Sequence, residues 1–240
     1  MENPVPEITD FELSLRDTVI RGSLHRGDAG ADLPGVLALH GGGASSRQGY
    51  KPLLQALAEG GCTGAAFDFI GQGESEGVLL GSSLAHRQEQ ALAVARHLGL
   101  RSPVALLGSS MGAHVACTLI QALAPRALVL FCPAAYASAA QQLAFGPAFQ
   151  GALRATRHFD DSAALAELER FTGRLLLVYG SRDEVIPEAV QQHYRHRARQ
   201  ARSVELIRLE GAGHRLHDWL AARPERFAEV LARVRETLKP

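Results

Sequence analysis

At 240 residues the chain is long enough for one three-layer domain, and 25 basic against 25 acidic residues leave it without net charge. That balance gives no support for nucleic acid or an anionic membrane as the main partner. Three cysteines, Cys62, Cys117 and Cys132, follow no ligand spacing and lie in apolar segments, so they read as small buried hydrophobes in a reducing compartment.

The first ten residues are acidic and broken by Pro4 and Pro6, and no apolar run approaches the ~20 residues that span a bilayer, so a soluble cytoplasmic protein is expected. Residues 11–15 and 18–24 alternate, which predicts an antiparallel entry hairpin with one wet face. Residues 36–39 are a continuous apolar run, the signature of a strand buried on both faces, and end in His40-Gly41-Gly42-Gly43. Pro52 suits the first turn of a helix closed by Gly60-Gly61, and residues 62–69 return as a strand. Ser82 or Ser83 caps a helix with Leu84, Ala91, Leu92, Ala95 and Leu98 at helical spacing. Further strands are predicted at 104–107, 127–132, 175–179 and, more weakly, 204–209. Helices are predicted at 111–123, from Pro187 to about 202, and over 216–238 with a break at Pro224. Strands and helices in alternation argue for a mostly parallel eight-stranded sheet with helices on both faces.

Residues 136–172 depart from this rhythm. The segment is Ala-rich, carries Phe145, Phe149, Phe159 and Phe171, and exceeds an ordinary crossover. It reads either as a small helical cap over the carboxyl edge of the sheet or as crossover helices with core phenylalanines. In both readings residues 1–240 form a single domain.

The chemistry-bearing stretch is Gly108-Ser109-Ser110-Met111-Gly112, a G-x-S-x-G pattern set between a strand and a helix. A serine at so sharp a reversal sits in strained backbone, which requires nearly side-chain-free residues two before and two after it. The same turn leaves its hydroxyl at a helix N-terminus, where the Met111 N–H can meet a developing oxyanion. A serine hydroxyl needs a base. The loop after 204–209, Glu210-Gly211-Ala212-Gly213-His214, offers an imidazole, and Gly180-Ser181-Arg182-Asp183 after 175–179 offers a carboxylate. The order Ser110, Asp183, His214 is the one expected of α/β-hydrolases.

With these motifs the chain resembles the α/β-hydrolase-fold serine esterases over nearly its full length, from His40-Gly41-Gly42 to Gly213-His214. Asp68 followed by Gly71-Gln72-Gly73-Glu74-Ser75 is similar to that family's turn after the fourth strand, D-x-x-G-x-G-x-S. The short insert suggests small-cap esterases such as cinnamoyl or feruloyl esterases and monoglyceride lipases. The resemblance implies Ser110 as nucleophile, His214 as base, Asp183 as its partner, and Met111 and Gly42 N–H as the oxyanion hole, with no metal or organic cofactor. Two departures stand out: Gln72 occupies a position usually held by histidine, and Gly42 one that is often bulky, which leaves Gly41 as an alternative donor. The implied reaction is hydrolysis of a carboxylic ester through an acyl-serine, and a compact apolar insert with phenylalanines and no basic cluster favours a small uncharged acyl or aryl substrate. Thioesterase, amidase or lactonase activity, or ligand binding without catalysis, are the alternatives; the sequence is silent on oligomeric state.

Rival residues have plainer readings. Ser109 is expected to point away from the loops, His217 to start a helix, His40 to brace the oxyanion loop, and His114 to be buried. Asp68 is expected to tie its turn to backbone N–H groups. Glu184 is expected to be solvated, as is the face carrying His193 and His196, and Asp160 and Asp161 fall in the insert.

Overall fold

The computed structural model describes residues 7–27, 35–100 and 104–239. Its strands are β1 (Glu7–Leu15), β2 (Thr18–Arg26), β3 (Val36–Leu39), β4 (Gly64–Phe67), β5 (Ala105–Ser109), β6 (Ala127–Phe131), β7 (Arg174–Gly180) and β8 (Ser203–Leu209). They form one sheet in the order β1-β2-β4-β3-β5-β6-β7-β8. β1 and β2 run antiparallel to each other and β2 antiparallel to β4; every other pairing is parallel. The central strands are apolar and buried along their length because helices cover both faces. β8 lies at the edge with Val204 and Leu206 exposed, which is why its apolar pattern was the weaker one.

The helices are α1 (Lys51–Glu59), α2 (Leu84–His97), α3 (Met111–Thr118), α4 (Ile120–Leu123), α5 (Pro147–Ala155), α6 (Ala163–Leu168), α7 (Glu188–Arg197), α8 (Leu216–Ala221) and α9 (Pro224–Leu238). α1, α8 and α9 pack together on one face, and α2, α3, α6 and α7 on the other. Ser83 caps α2 by accepting the His86 N–H at 3.2 Å. The helix predicted over 111–123 divides at Leu119, where the Thr118 hydroxyl donates back to the Val115 carbonyl at 2.7 Å and competes with the helical ladder. Pro224 opens α9 after the expected break.

Residues 136–172 divide in two. A 3₁₀ turn at Ser138–Ala140 and α5 surround a satellite cluster of Leu84, Ala140, Phe145 and Phe149, with Met111 and Tyr136 at its margin. α6 instead packs on α3 and α7 as a crossover helix, with Phe171 in the main core and a half-buried Phe159 packed against it. Among the described residues, no helix is long and apolar enough to cross a membrane.

Register places the site. Leu39 pairs with Gly108, Ser109 with Phe131, and Gly180 with Leu209, so the loops after β3, β5, β6, β7 and β8 leave the same edge of the sheet side by side.

Candidate active site

Ser110 stands between β5 and α3 with φ 51° and ψ −116°, a conformation costly for a residue with a Cβ. The turn closes only because its flanks are bare. A Cβ on Gly108 would lie 2.5 Å from the Ala113 Cα, and one on Gly112 2.1 Å from the Leu39 carbonyl oxygen. The strained serine does not cap its own helix. Its Oγ lies 3.0 Å from His214 Nε2.

His214 Nδ1 in turn lies 3.0 Å from Asp183 Oδ2. The Asp183 side chain is fully buried, and its other oxygen accepts the N–H groups of Val185 at 2.9 Å and Ile186 at 3.1 Å. Burial pushes this carboxyl up, but the Cys132 thiol, His214 and the two N–H groups outweigh it and hold it below the usual carboxylate range. An ionised carboxylate only accepts, so His214 Nδ1 carries the proton and Nε2 is free to accept from the Ser110 hydroxyl. The three side chains therefore form one directed hydrogen-bond chain.

Gly41 and Gly42 border Ser110 and Met111: a Cβ on Gly41 would sit 3.4 Å from the Ser110 Cβ, and one on Gly42 3.1 Å from the Met111 Cε. Among the described residues, none accepts a hydrogen bond from the N–H of Gly41, Gly42 or Met111. The loop that presents them is braced from below. His40 donates from Nδ1 to the Gly41 carbonyl at 2.8 Å and accepts the Phe69 N–H on Nε2 at 3.1 Å. Burial, with the Arg87 charge, lowers this imidazole to about 4, so it stays neutral. Gln72 donates its amide to the carbonyls of Gly43 at 2.5 Å and Ser45 at 3.3 Å. Its oxygen accepts from the buried Arg87. The Arg87 guanidinium lies 4.4 Å over the Phe69 ring.

Asp68 meets the Glu74 N–H at 3.0 Å as expected, and also the Arg47 N–H at 2.6 Å and the Arg47 guanidinium. His114 is fully buried, with Nε2 3.3 Å from Gln141 Oε1. Glu184 is exposed, and Asp160 pairs with Arg197 away from the site.

Ser109 departs from expectation. It does not point away from the loops: its Oγ lies 2.7 Å from both the Tyr50 hydroxyl and His217 Nε2. Both serines line a cavity of 490 Å³ together with Ser45, Ser46, Tyr50, Phe131, His214 and His217. No residue of 136–172 lines it. The insert's phenylalanines, on which an apolar or aryl substrate rested, are turned into the two cores instead. Arg47, Tyr50 and Arg87 carried no motif, and only burial reveals them; Gln72 lies in the motif-bearing turn at residues 71–75.

Cys132 Sγ, a carboxylate oxygen of Asp183 and a ring nitrogen of His214 lie within 4.8 Å of one another, close enough to hold a metal ion. Burial and the neighbouring Asp183 push the Cys132 thiol far above its ordinary value, against the thiolate a metal requires, and the imidazole and carboxylate already satisfy each other.

Residues 34–159, more than half of the chain and including Gly41, Gly42 and the Ser110 turn, match the family described as serine aminopeptidase, S33. The chain belongs to this family of α/β-hydrolases. The match ends before Asp183 and His214. The fold is shared with an esterase from Pyrococcus furiosus, at 25% identity and a TM-score of 0.71 over 97% of this chain and 91% of that one. It is shared also with a predicted CIB-like hydrolase from Thermoplasma acidophilum (18% identity, TM-score 0.69, 96% and 99% covered). A thioesterase domain of the curacin biosynthetic pathway has it too (20%, 0.67, 94% and 99%). No protein of curated function matches the chain. As a member of this family the chain is a hydrolase.

Proposed function

We propose that the chain is a serine esterase acting on a small, uncharged carboxylic ester through an acyl-serine. The observation that carries this reading is the directed chain Asp183, His214, Ser110, with both links at 3.0 Å, ending on a strained serine beside N–H groups that none of the described residues engages. Ser110 Oγ attacks the ester carbonyl carbon while its proton passes to His214 Nε2. The carbonyl oxygen becomes an oxyanion held by the N–H of Met111 and of Gly42. Collapse breaks the bond to the alkoxy oxygen, which leaves with the proton from His214. Water then gives a proton to His214, attacks the acyl carbon, and releases the acid and the Ser110 hydroxyl. Asp183 holds the imidazole tautomer and stabilises imidazolium throughout.

The cavity size favours a small substrate. Uncharged substrates are favoured because, among the described residues, the one Lys or Arg lining the cavity, Arg215, is exposed and paired with Asp218 at 2.7 Å. The same pairing weighs against an aminopeptidase, which must seat a free α-ammonium: among the described lining residues Asp218 is the single carboxylate, and it is engaged. The three cysteines are free, in keeping with a cytoplasmic protein.

A fluorophosphonate probe tests the nucleophile, and a panel of p-nitrophenyl esters run beside thioester and amide substrates tests the bond cleaved. Stoichiometric attachment at Ser110, ester turnover, and a loss of roughly 10⁴- to 10⁶-fold in kcat for Ser110→Ala are expected. Turnover by Ser110→Ala at the wild-type rate overturns the assignment, and turnover confined to thioesters or amides overturns the ester reading.

A further inference from the structure

Ser109 and Ser110 are consecutive, and so, one turn of chain apart, are the imidazoles that meet them. His214 Nε2 reaches Ser110 at 3.0 Å, and His217 Nε2 reaches Ser109 at 2.7 Å. Two Ser–His bridges thus span the same two segments, the end of β5 and the start of α8. The second bridge continues. Ser109 Oγ meets the Tyr50 hydroxyl at 2.7 Å, and Tyr50 donates to the Leu39 carbonyl at 3.4 Å. Leu39 is the last residue of β3, immediately before His40-Gly41-Gly42.

The geometry points to His217, Ser109 and Tyr50 as positioning residues: a second hydrogen-bond chain that holds the His214 loop, the Ser110 turn and the Gly41-Gly42 loop in mutual register. This assignment rests on the esterase reading above and extends it to residues outside the acyl-transfer chain.

Proton directions are consistent along the whole path. A carbonyl only accepts, so Tyr50 donates to Leu39, Ser109 donates to Tyr50, and His217 Nε2 donates to Ser109. Burial lowers the His217 imidazole to about 4, opposed by the Asp218 charge, so it stays neutral while His214 cycles through imidazolium. The ring is also clamped, its centroid 4.3 Å from Tyr50 and 4.8 Å from Phe131, both rings nearly fully buried. α8 has only six residues, too few to be stable alone, so its position depends on such anchors. A buried polar chain stabilises less than apolar packing of the same volume, and its particular contribution is a unique geometry. That geometry matters here because a shift of about 1 Å between base and nucleophile can cost about 10²-fold in rate.

The test uses the full chain as wild type, Ser109→Ala, His217→Phe, His217→Gln and Tyr50→Phe. Rates of fluorophosphonate labelling with peptide mapping, kcat and KM for p-nitrophenyl acetate, and Tm are measured for each. Ser109→Ala and His217→Phe are expected to lower kcat and the labelling rate roughly 10- to 100-fold, with KM within about twofold, the pattern of a misplaced catalytic group. His217→Gln, whose side-chain nitrogen reaches the place of Nε2, is expected to recover to within about fivefold of wild type. A lower Tm with unchanged rates overturns the inference and leaves the chain a structural one. Mapping of the label to Ser109 also overturns it. If His217→Phe or Ser109→Ala does not fold, Tyr50→Phe decides, a wild-type labelling rate counting against the inference. A wild-type protein that takes no label at all overturns the esterase reading itself, a different outcome from equal labelling of all variants.

Discussion

Asp183 divides its carboxylate between two partners of different kinds, His214 Nδ1 on one oxygen and the N–H groups of Val185 and Ile186 on the other. The backbone contacts fix where the carboxylate sits, and the imidazole reads its charge. Asp183→Asn keeps the shape and loses the charge, and its amide can present N–H to Nδ1 and force the wrong tautomer. A fall in kcat of about 10⁴ with nearly unchanged KM is expected, and steady-state kinetics checks it.

Ser110 holds a positive φ, which turns its hydroxyl into the cavity. Ser110→Gly removes both the hydroxyl and the strain. The variant should be inactive yet about 1 kcal/mol more stable, a rise of about 2–4 °C in Tm for a chain of this size. Thermal melts of the pair decide; an unchanged or lower Tm would show that the turn is not strained.

Three buried imidazoles make the fold acid-labile. Burial lowers His40, His114 and His217 from 6.5 to about 4, aided at His40 by the Arg87 charge. Between these values the unfolded chain binds protons that the folded chain refuses, so stability is whole above about pH 6.5 and is lost as pH falls toward 4. The loss approaches about 1.4 kcal/mol per pH unit for each imidazole. The depressed Asp183 carboxyl acts in the same direction at lower pH. Urea titrations from pH 8 to 4 measure this, and a flat profile across that range would contradict it.

Asp68 is fully buried and depends on Arg47, itself 4% exposed. Arg47→Met removes the guanidinium and strands the carboxylate. Destabilisation of about 3–5 kcal/mol is expected, because the charge left behind is uncompensated. Chemical denaturation of Arg47→Met beside wild type provides the measurement.

Much of this was legible from local pattern. Four-residue apolar runs such as Val36–Leu39 can be satisfied only by burial on both faces, and Gly108 and Gly112 announce a turn that tolerates no Cβ. The loop glycines before His214 and the strand end before Asp183 likewise mark where side chains can return over a sheet edge. The insert was less readable, because apolar residues show that a segment is buried but not against what; Phe145 and Phe149 joined a satellite cluster and Phe171 the main core.

From its one-dimensional order the chain determines a mostly parallel sheet, a serine at a strained reversal, and an imidazole and a carboxylate on strand-end loops, since each of these depends on residues close in sequence. Only the tertiary structure decided that Ser109 turns into the cavity to meet His217, 108 positions away, and Tyr50, 59 positions away. It alone decided that Arg47 and Arg87 are buried as braces. Polar residues ordinarily stay in water, and the partners that permit their burial come from distant strands brought side by side by register, which no local spacing records.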